Sequence, residues 1–139
     1  MISYNSEAVP FPHLHRRDTT RWLRAVAARY GYTIGELGYV FCNDEKILEI
    51  NRQYLSHDYY TDIITFDYTE GHVINGDIFI SLDTVRSNSA QQHTDYDEEL
   101  HRVIVHGVLH LCGIDDKGPG QRAIMEAAEN DALRLLSMG

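Results

Sequence analysis

Residues 94–116 read TDYDEELHRVIVHGVLHLCGIDD, which combines a long helical pattern with several side chains that can bind a metal. Thr94, followed by Asp97 and Glu98, gives the acidic start that favours a helix N-terminus. Apolar residues then recur on the buried sides of the helix, at Leu100, Val103, Ile104, Val108, Leu109 and Leu111. Gly113 is placed to end the helix. The stretch therefore predicts a long buried helix with a polar turn after it.

Two histidines lie four residues apart near the end of this helix. Their side chains are separated by about 40° around the helix axis, so His106 and His110 can reach one ion from a single face. A left-handed Gly113 would let the chain turn back and present Asp115 or Asp116 as a third ligand. Three protein ligands with one open position are typical of a catalytic zinc site. The alternative is an ordinary histidine pair followed by a glycine cap and a turn.

The same spacing is found in the metzincin proteases, where a His-Glu-x-x-His motif is followed by a glycine and a third ligand. Peptide hydrolysis at such a site uses the glutamate after the first histidine as general base. That position is Gly107 here, which has no side chain to move a proton. A zinc metalloprotease is therefore the minor alternative.

The patterns on either side predict the remaining elements. A helix from residue 18 or 19 to 30 ends at Gly31, and Asn43 caps a second helix that ends near Leu55. Residues 37–42, 63–68 and 73–81 are strands, the last two antiparallel. Ser81 caps a short helix toward residue 92. A last helix from about residue 120 carries Ile124, Met125, Ala128, Leu133, Leu135 and Leu136. The sum is an α+β fold: a small mixed β-sheet of about four strands covered by about five helices, with the metal site at the end of the long helix.

The chain of 139 residues is long enough for one hydrophobic core, so we predict a single domain over residues 1–139. Together with the metal-binding pattern, this predicts a single metallohydrolase domain. No run approaches the roughly 20 apolar residues that span a bilayer, and no targeting segment is recognised. Cys42 and Cys112 lie in apolar segments without a C-x-x-C pair, so both are predicted to be buried free thiols. We expect a cytoplasmic protein without a membrane partner.

The net charge of −9 argues against a polyanionic partner, but the charge is unevenly distributed. Residues 1–30 hold five arginines against two acids, a net charge of +3, which leaves −12 on the remainder. This segment can contact phosphate through Arg16, Arg17, Arg21 or Arg24. The alternative is that these arginines form the solvated face of an amphipathic helix.

At this point the sequence resembles the YbeY family of bacterial rRNA maturation endoribonucleases, whose signature reads His-Gly-x-Leu-His-Leu-x-Gly-Tyr-Asp-His. It is matched by His106, Gly107, Leu109, His110, Leu111, Gly113, Asp115 and Asp116. A second family segment, Asn-x-x-Tyr ending in Thr-Asp-Val-Leu-Ser-Phe, is matched by Asn51, Tyr54, Asp58, Thr61, Asp62, Ile63, Ile64, Thr65 and Phe66. With Gly76, Asp77, Ile78, Met125 and Glu126, the similarity covers residues 40–130.

The resemblance implies a single-strand-specific, metal-dependent endoribonuclease, a hydrolase that acts in 16S rRNA processing, ribosome maturation and quality control. It implies one Zn²⁺ per chain, held by His106, His110 and Asp116. It also implies ribosomal RNA and the small ribosomal subunit as partners, with no DNA expected and any protein partner unknown.

Three residues depart from the family pattern. Asp116 stands at the family's third histidine ligand, and a carboxylate there admits other divalent metals. Leu55 stands where the family often has an arginine thought to contact RNA, so that role is not carried over. Tyr60 replaces a proline usual before the Thr-Asp pair, a change that we interpret as structural.

Few acids or bases are evident for catalysis. Asp115 can orient a histidine or serve as a weak general base, and helix capping or a turn is the alternative. Asp62, with Thr61, can line the cleft or can form a local turn at the start of a strand. Exposed tyrosines can stack unpaired bases. The principal rival function is a non-catalytic ribosome-associated factor whose metal only ties the long helix to the following turn.

Overall fold

The computed structural model describes residues 1–55, 61–115 and 117–138. Within them lie four strands, β1 Ile2–Ser6, β2 Thr33–Cys42, β3 Ile63–Asp67 and β4 Val73–Ser81. The helices of the same residues are α1 Arg16–Arg29, α2 Asp44–Tyr54, α3 Leu82–Gln92, α4 Tyr96–Leu111 and α5 Gln121–Met138. The predicted α+β fold is confirmed.

The four strands form one mixed sheet in the order β1-β2-β4-β3. β1 and β4 both pair in parallel with β2, whereas β3 pairs antiparallel with β4. The antiparallel pairing sets Ile63 opposite Ile80. Strand β3 lies at one edge of the sheet, and residues 61 and 62 directly precede its first residue, Ile63.

Helix α4 packs against β4 and β3, and Gly107 faces the sheet directly. A Cβ atom at Gly107 would lie 2.7 Å from Cδ1 of Ile78 and 3.4 Å from Cδ1 of Ile63. Leu100, Ile104 and Val108 are fully buried in the same core. A second, smaller core of Cys42, Ile47, Ile50 and Ile64 lies beneath α2. The long buried helix predicted from the sequence is therefore confirmed.

Several helix ends follow the predicted capping chemistry. Oδ1 of Asn43 accepts from the Lys46 N–H at 2.9 Å, and Oγ of Ser81 accepts from the Thr84 N–H at 3.4 Å. Gly31 and Gly113 both take the left-handed conformation, with φ of 81° and 93°. After α4, the Gly113 N–H donates to the His110 carbonyl and the Ile114 N–H to the Leu109 carbonyl, a closed turn that satisfies the helix end.

Other boundaries differ from the prediction. Asp95 rather than Thr94 caps α4, accepting from the Glu98 N–H at 3.2 Å. Helix α1 begins at Arg16, before both predicted caps, and His15 at its N-cap makes no side-chain capping bond. Strand β2 starts four residues earlier than predicted, and Ile124, expected on the apolar face of α5, is 54% exposed.

Strand β1 was not predicted. It is a short edge strand in which polar residues alternate with Ile2 and Tyr4 near the chain start, too brief a pattern to separate from a loop. Both cysteines are free and buried, as predicted. Burial raises the pKa of Cys42 to about 12 and that of Cys112 to about 11. Among the described helices, none is long and apolar enough to cross a membrane.

Candidate active site

A cleft of about 630 Å³ opens where α4 and α5 meet β3, α2 and the end of α3. The described residues that line it include His106 and His110 from α4 and Asp62 from the start of β3. Carboxylates from the helices surround them, from Glu98, Glu99, Glu126 and Glu129. The structure thus brings the two predicted metal-binding histidines and one predicted catalytic residue to one cavity.

The two histidines reach the cleft because α4 presents them from successive turns of one face. The side chain of His106 is 21% exposed. The turn at Gly113 redirects the chain after the helix, as the sequence predicts for a third ligand that folds back. Asp116, the predicted third ligand, lies outside the described residues, as do Asp58 and Tyr60 of the second family segment.

Glu129 of α5 contacts the imidazole ring of His106 at Nδ1. Its Oε2 lies 2.7 Å from Nδ1 of His106, and its Oε1 accepts from Nη1 of Arg102 at 3.0 Å. A carboxylate only accepts, so the proton of the imidazole is on Nδ1, and a metal ion would be bound through Nε2. In metal sites, the ring nitrogen of a histidine ligand that does not bind the metal commonly donates a hydrogen bond to a carboxylate.

The donor set therefore suits a divalent transition metal. Two imidazoles on one rigid helix, one of them oriented by a buried carboxylate, are ligands that Zn²⁺ prefers. Residues 1–55, 61–115 and 117–138 hold no group of three His, Cys, Asp or Glu placed to bind a metal on their own. Asp116, which lies outside these residues, remains our prediction for the third ligand.

Two carboxyl groups of the cleft have raised pKa values. Burial is the main cause for Asp62, where Glu129 adds to the rise while His106 and the backbone N–H groups of Asp62 and Ile63 oppose it. Burial likewise raises the pKa of Glu99, with Asp62 and Glu129 adding to the rise and Arg102 opposing it. Asp62 thus lines the cleft, one of the two alternatives that the sequence leaves open, and its part in catalysis stays a prediction.

Glu99 has no side-chain hydrogen bond or ion pair among the described residues, although it is only 7% exposed. A buried carboxyl that faces a cleft without a partner is free to exchange a proton with a bound molecule. Glu99 is not among the residues that the sequence singles out, although it follows directly on the acidic helix start at Asp97 and Glu98. Nothing in its spacing distinguishes it from Glu98.

The cations of the cleft are not those that the sequence suggested. Among the described lining residues they are Arg102, Lys117 and Arg122. Lys117 and Arg122 are exposed and make no side-chain bond within the part of the chain that the structure describes. Leu55, at the position of the family's arginine, also lines the cleft. Lys117 and Arg122 can therefore bind phosphate at the exposed edge of the cleft.

The arginines of α1 lie outside the lining of the cleft. Arg16 stacks on Phe11 with its Cζ 4.2 Å from the ring centroid, and Arg24 donates to the Ile34 carbonyl at 3.2 Å. Arg16 and Arg17 border a separate surface pocket beside β1. Their exposed positions agree with the solvated face of an amphipathic helix, the alternative that the sequence leaves open.

Asp115, the second predicted catalytic residue, is exposed, and its Oδ1 accepts from the Lys117 N–H at 3.1 Å. This bond is turn chemistry, one of the two readings that the sequence left open. Its role in catalysis stays a prediction.

Comparison with known proteins identifies relatives over nearly the whole chain. The family model described as Endoribonuclease YbeY matches residues 2–137. The Endoribonuclease YbeY of Phocaeicola vulgatus is 66% identical over 99% of this chain and 100% of its own length. That of Bacteroides fragilis is 64% identical over 96% of both chains, and that of Azobacteroides pseudotrichonymphae is 46% identical over 97% of both.

The fold has a counterpart among solved structures. The solution structure of TM1509 from Thermotoga maritima superposes with a TM-score of 0.70 and covers 98% of this chain and 89% of its own. At 21% sequence identity, this likeness concerns the fold.

Proposed function

Because the chain belongs to the YbeY family of endoribonucleases, we propose that it hydrolyses single-stranded RNA in the cleft beside His106 and His110, with one Zn²⁺ per chain. The observation that carries this proposal is the His106–His110 pair in an acidic cleft, with Nδ1 of His106 lying 2.7 Å from Oε2 of buried Glu129. Asp116 is the proposed third ligand. As an anionic ligand it would also accept other divalent metals.

The residues divide into those that hold the metal and those that handle the substrate. A zinc ion held there would supply a Lewis acid for a phosphoryl oxygen and would make a bound water more acidic. Lys117 and Arg122 at the mouth would bind the phosphates that flank the scissile bond. Exposed Tyr54, at 62%, offers a ring on which an unpaired base can stack.

Hydrolysis adds a water oxygen to phosphorus and breaks one P–O ester bond, so the site must take a proton from the water and return one to the leaving oxygen. We propose Asp62 and Glu99 for these transfers, because both carboxyls line the cleft and burial raises the pKa of each above its ordinary value. Asp115 is a further candidate through the turn that it stabilises.

The proposed substrate is ribosomal RNA of the small subunit, acted on during 16S rRNA processing by a single cytoplasmic domain. The support is the family resemblance, together with free buried cysteines that suit a reducing compartment. A zinc protease is disfavoured, because Gly107 packs against Ile78 and leaves no space for a general base.

Cleavage assays on one labelled sequence test the proposal. The same sequence is presented as single-stranded RNA, double-stranded RNA and single-stranded DNA to protein that has been stripped with a chelator and reloaded with Zn²⁺. We expect cleavage of single-stranded RNA only. His110→Ala should lose roughly 100-fold or more of the rate, since even the outer partners of a metal ligand are worth about 10- to 100-fold.

His72→Ala is the matched control, because His72 is exposed, packs on Tyr32 and lies outside the cleft lining. It should cleave at the wild-type rate. Equal activity of the His110→Ala and His72→Ala proteins would contradict the proposal. Loss of folding, rather than of cleavage alone, on metal removal would favour the non-catalytic factor instead.

A further inference from the structure

Glu129 lies at the centre of a polar chain that joins α5 to α4. It is 9% exposed, and each of its oxygens has a partner on α4. Oε1 accepts from Nη1 of Arg102 at 3.0 Å, and Oε2 lies 2.7 Å from Nδ1 of His106. Nη2 of Arg102 also donates to Oδ1 of Asn130, at 2.8 Å.

The spacing on α4 explains why one carboxylate serves both partners. Arg102 and His106 are four residues apart, so they lie one above the other on one face of the helix. Glu129 meets this face from the neighbouring helix. The guanidinium fixes one oxygen, which leaves the other aimed at the imidazole rather than at solvent.

This geometry sets the chemical state of His106. Neutral imidazole carries one proton, and a carboxylate acceptor at Nδ1 places the proton there. The imidazole ring of His106 cannot flip without breaking its short hydrogen bond to Glu129, and Glu129 is itself held by Arg102. Orientation and tautomer are therefore fixed before any metal arrives.

We propose that Glu129 is a positioning residue that locks His106 in the Nδ1–H tautomer with Nε2 toward the metal, and that Arg102 holds Glu129 in place. The inference rests on the proposed metal site and adds to it the chain Arg102–Glu129–His106, which links α5 to the reaction. A merely structural role, an ion pair that ties α5 to α4, predicts an effect on stability alone.

The test compares Glu129→Ala, Glu129→Gln and the control Glu126→Gln. Glutamine keeps a carbonyl oxygen that can accept from Nδ1, whereas alanine removes the acceptor. Glu126 is exposed on the same helix, one turn earlier, and lines the same cleft. Its substitution therefore changes the charge by one unit without touching His106.

Two readouts other than activity are measured on all four proteins. The first is the tautomer of His106 in the metal-free state, from ¹⁵N shifts and long-range ¹H–¹⁵N couplings of the ring. The second is the zinc dissociation constant, from competition with a chromophoric chelator. Thermal unfolding on the same samples identifies any variant that has failed to fold.

We expect the Nδ1–H tautomer in the wild type, in Glu129→Gln and in Glu126→Gln, and a mixture of tautomers in Glu129→Ala. Zinc affinity should fall about 10- to 100-fold in Glu129→Ala, less in Glu129→Gln, and less than about twofold in Glu126→Gln.

Two failures can be told apart. If the wild type binds zinc and Glu129→Ala binds it equally tightly with the same tautomer, Glu129 is only a structural tie and the inference is overturned. If the wild type itself binds no zinc, the proposed metal site fails, whatever Glu129 does. Should Glu129→Ala not fold, Glu129→Gln decides: a zinc affinity below that of Glu126→Gln supports the inference, and an equal affinity overturns it.

Discussion

Gly107 illustrates how one residue carries information about both packing and chemistry. In the sequence, its lack of a side chain argued against a peptidase. In the structure, it allows α4 to approach the sheet, because a Cβ atom would meet Ile78 at 2.7 Å. The glycine between the two cleft histidines thus has a structural reason that is independent of the reaction.

Glu99→Gln should stabilise the metal-free protein at neutral pH. A carboxyl whose pKa is higher in the folded than in the unfolded state contributes stability that is fully present below its ordinary value of 4.5 and is lost as the pH rises through the raised value. At pH 7, ionised Glu99 therefore opposes folding. We expect Glu99→Gln to gain about 1 kcal/mol, or roughly 3 °C in Tm.

Thermal unfolding of the chelator-treated proteins at pH 7 and at pH 4 measures this difference. It should shrink at pH 4, where wild-type Glu99 is protonated. Exposed Glu98→Gln is the control and should shift Tm by less than about 1 °C. A Glu99→Gln protein that is less stable than wild type at pH 7 would contradict the role that we assign to burial.

Among the individual site residues, those that lie close together along the chain could be predicted from the sequence. His106 and His110 were recognisable because they share one helix at a spacing of four. Glu129 and Arg102 were missed, because their contact with the site depends on how α5 docks on α4, which no local pattern encodes. Glu99 was missed for a similar reason, because it differs from its neighbour Glu98 only in being buried in the folded protein.

Among the elements, the turn that ends α4 shortly precedes Asp116, the proposed third metal ligand. Gly113 has φ of 93°, and L side chains pay about 1 to 2 kcal/mol in the left-handed region. Gly113→Ala should therefore lower the free energy of unfolding by about that amount and should weaken zinc binding, because this turn leads to the proposed ligand Asp116.

Chemical denaturation and zinc competition measure both effects. Gly113→Asn is the control, since asparagine tolerates the left-handed region better than alanine does. It should recover part of the stability and of the affinity. Equal losses in the two variants would contradict the role that we assign to the backbone conformation of Gly113.

The elements were largely predictable where the sequence is strongly periodic or carries a cap. The caps at Asn43 and Ser81 and the antiparallel pair β3–β4 were all found. The start of α1 was not, because His15 makes no capping bond and the acceptors at Asp18 and Thr19 lie inside the helix. Strand β1 was missed because it is an edge strand of five residues with little apolar signal.

At the level of the whole molecule, the charge distribution bears on how an acidic protein meets RNA. The chain has a net charge of −9, and its one basic segment lies on α1, away from the cleft lining. Lys117 and Arg122 instead stand at the cleft itself. The net charge from composition therefore does not show which cations lie where phosphate can bind, and among the described cations of this acidic cleft Lys117 and Arg122 are the exposed ones.

The double variant Lys117→Gln/Arg122→Gln should weaken the binding of single-stranded RNA and flatten its salt dependence. Each lost phosphate contact removes about 0.7 from the slope of log K against log salt concentration, so a change of roughly 1.4 is expected. Titrations of labelled RNA at several salt concentrations give this slope. Arg17→Gln/Arg21→Gln is the matched control; a larger effect in that variant would move the RNA contact to α1.

The proposed activity depends most directly on one zinc ion per chain that is held by His106 and His110. Elemental analysis of the purified wild type, His110→Ala and His72→Ala, with RNA cleavage and thermal unfolding on the same samples, tests this claim. We predict about one zinc per chain in the wild type and in His72→Ala, and loss of both zinc and cleavage in a folded His110→Ala. A wild-type protein that cleaves RNA without bound metal, or a His110→Ala protein that keeps both, would contradict it.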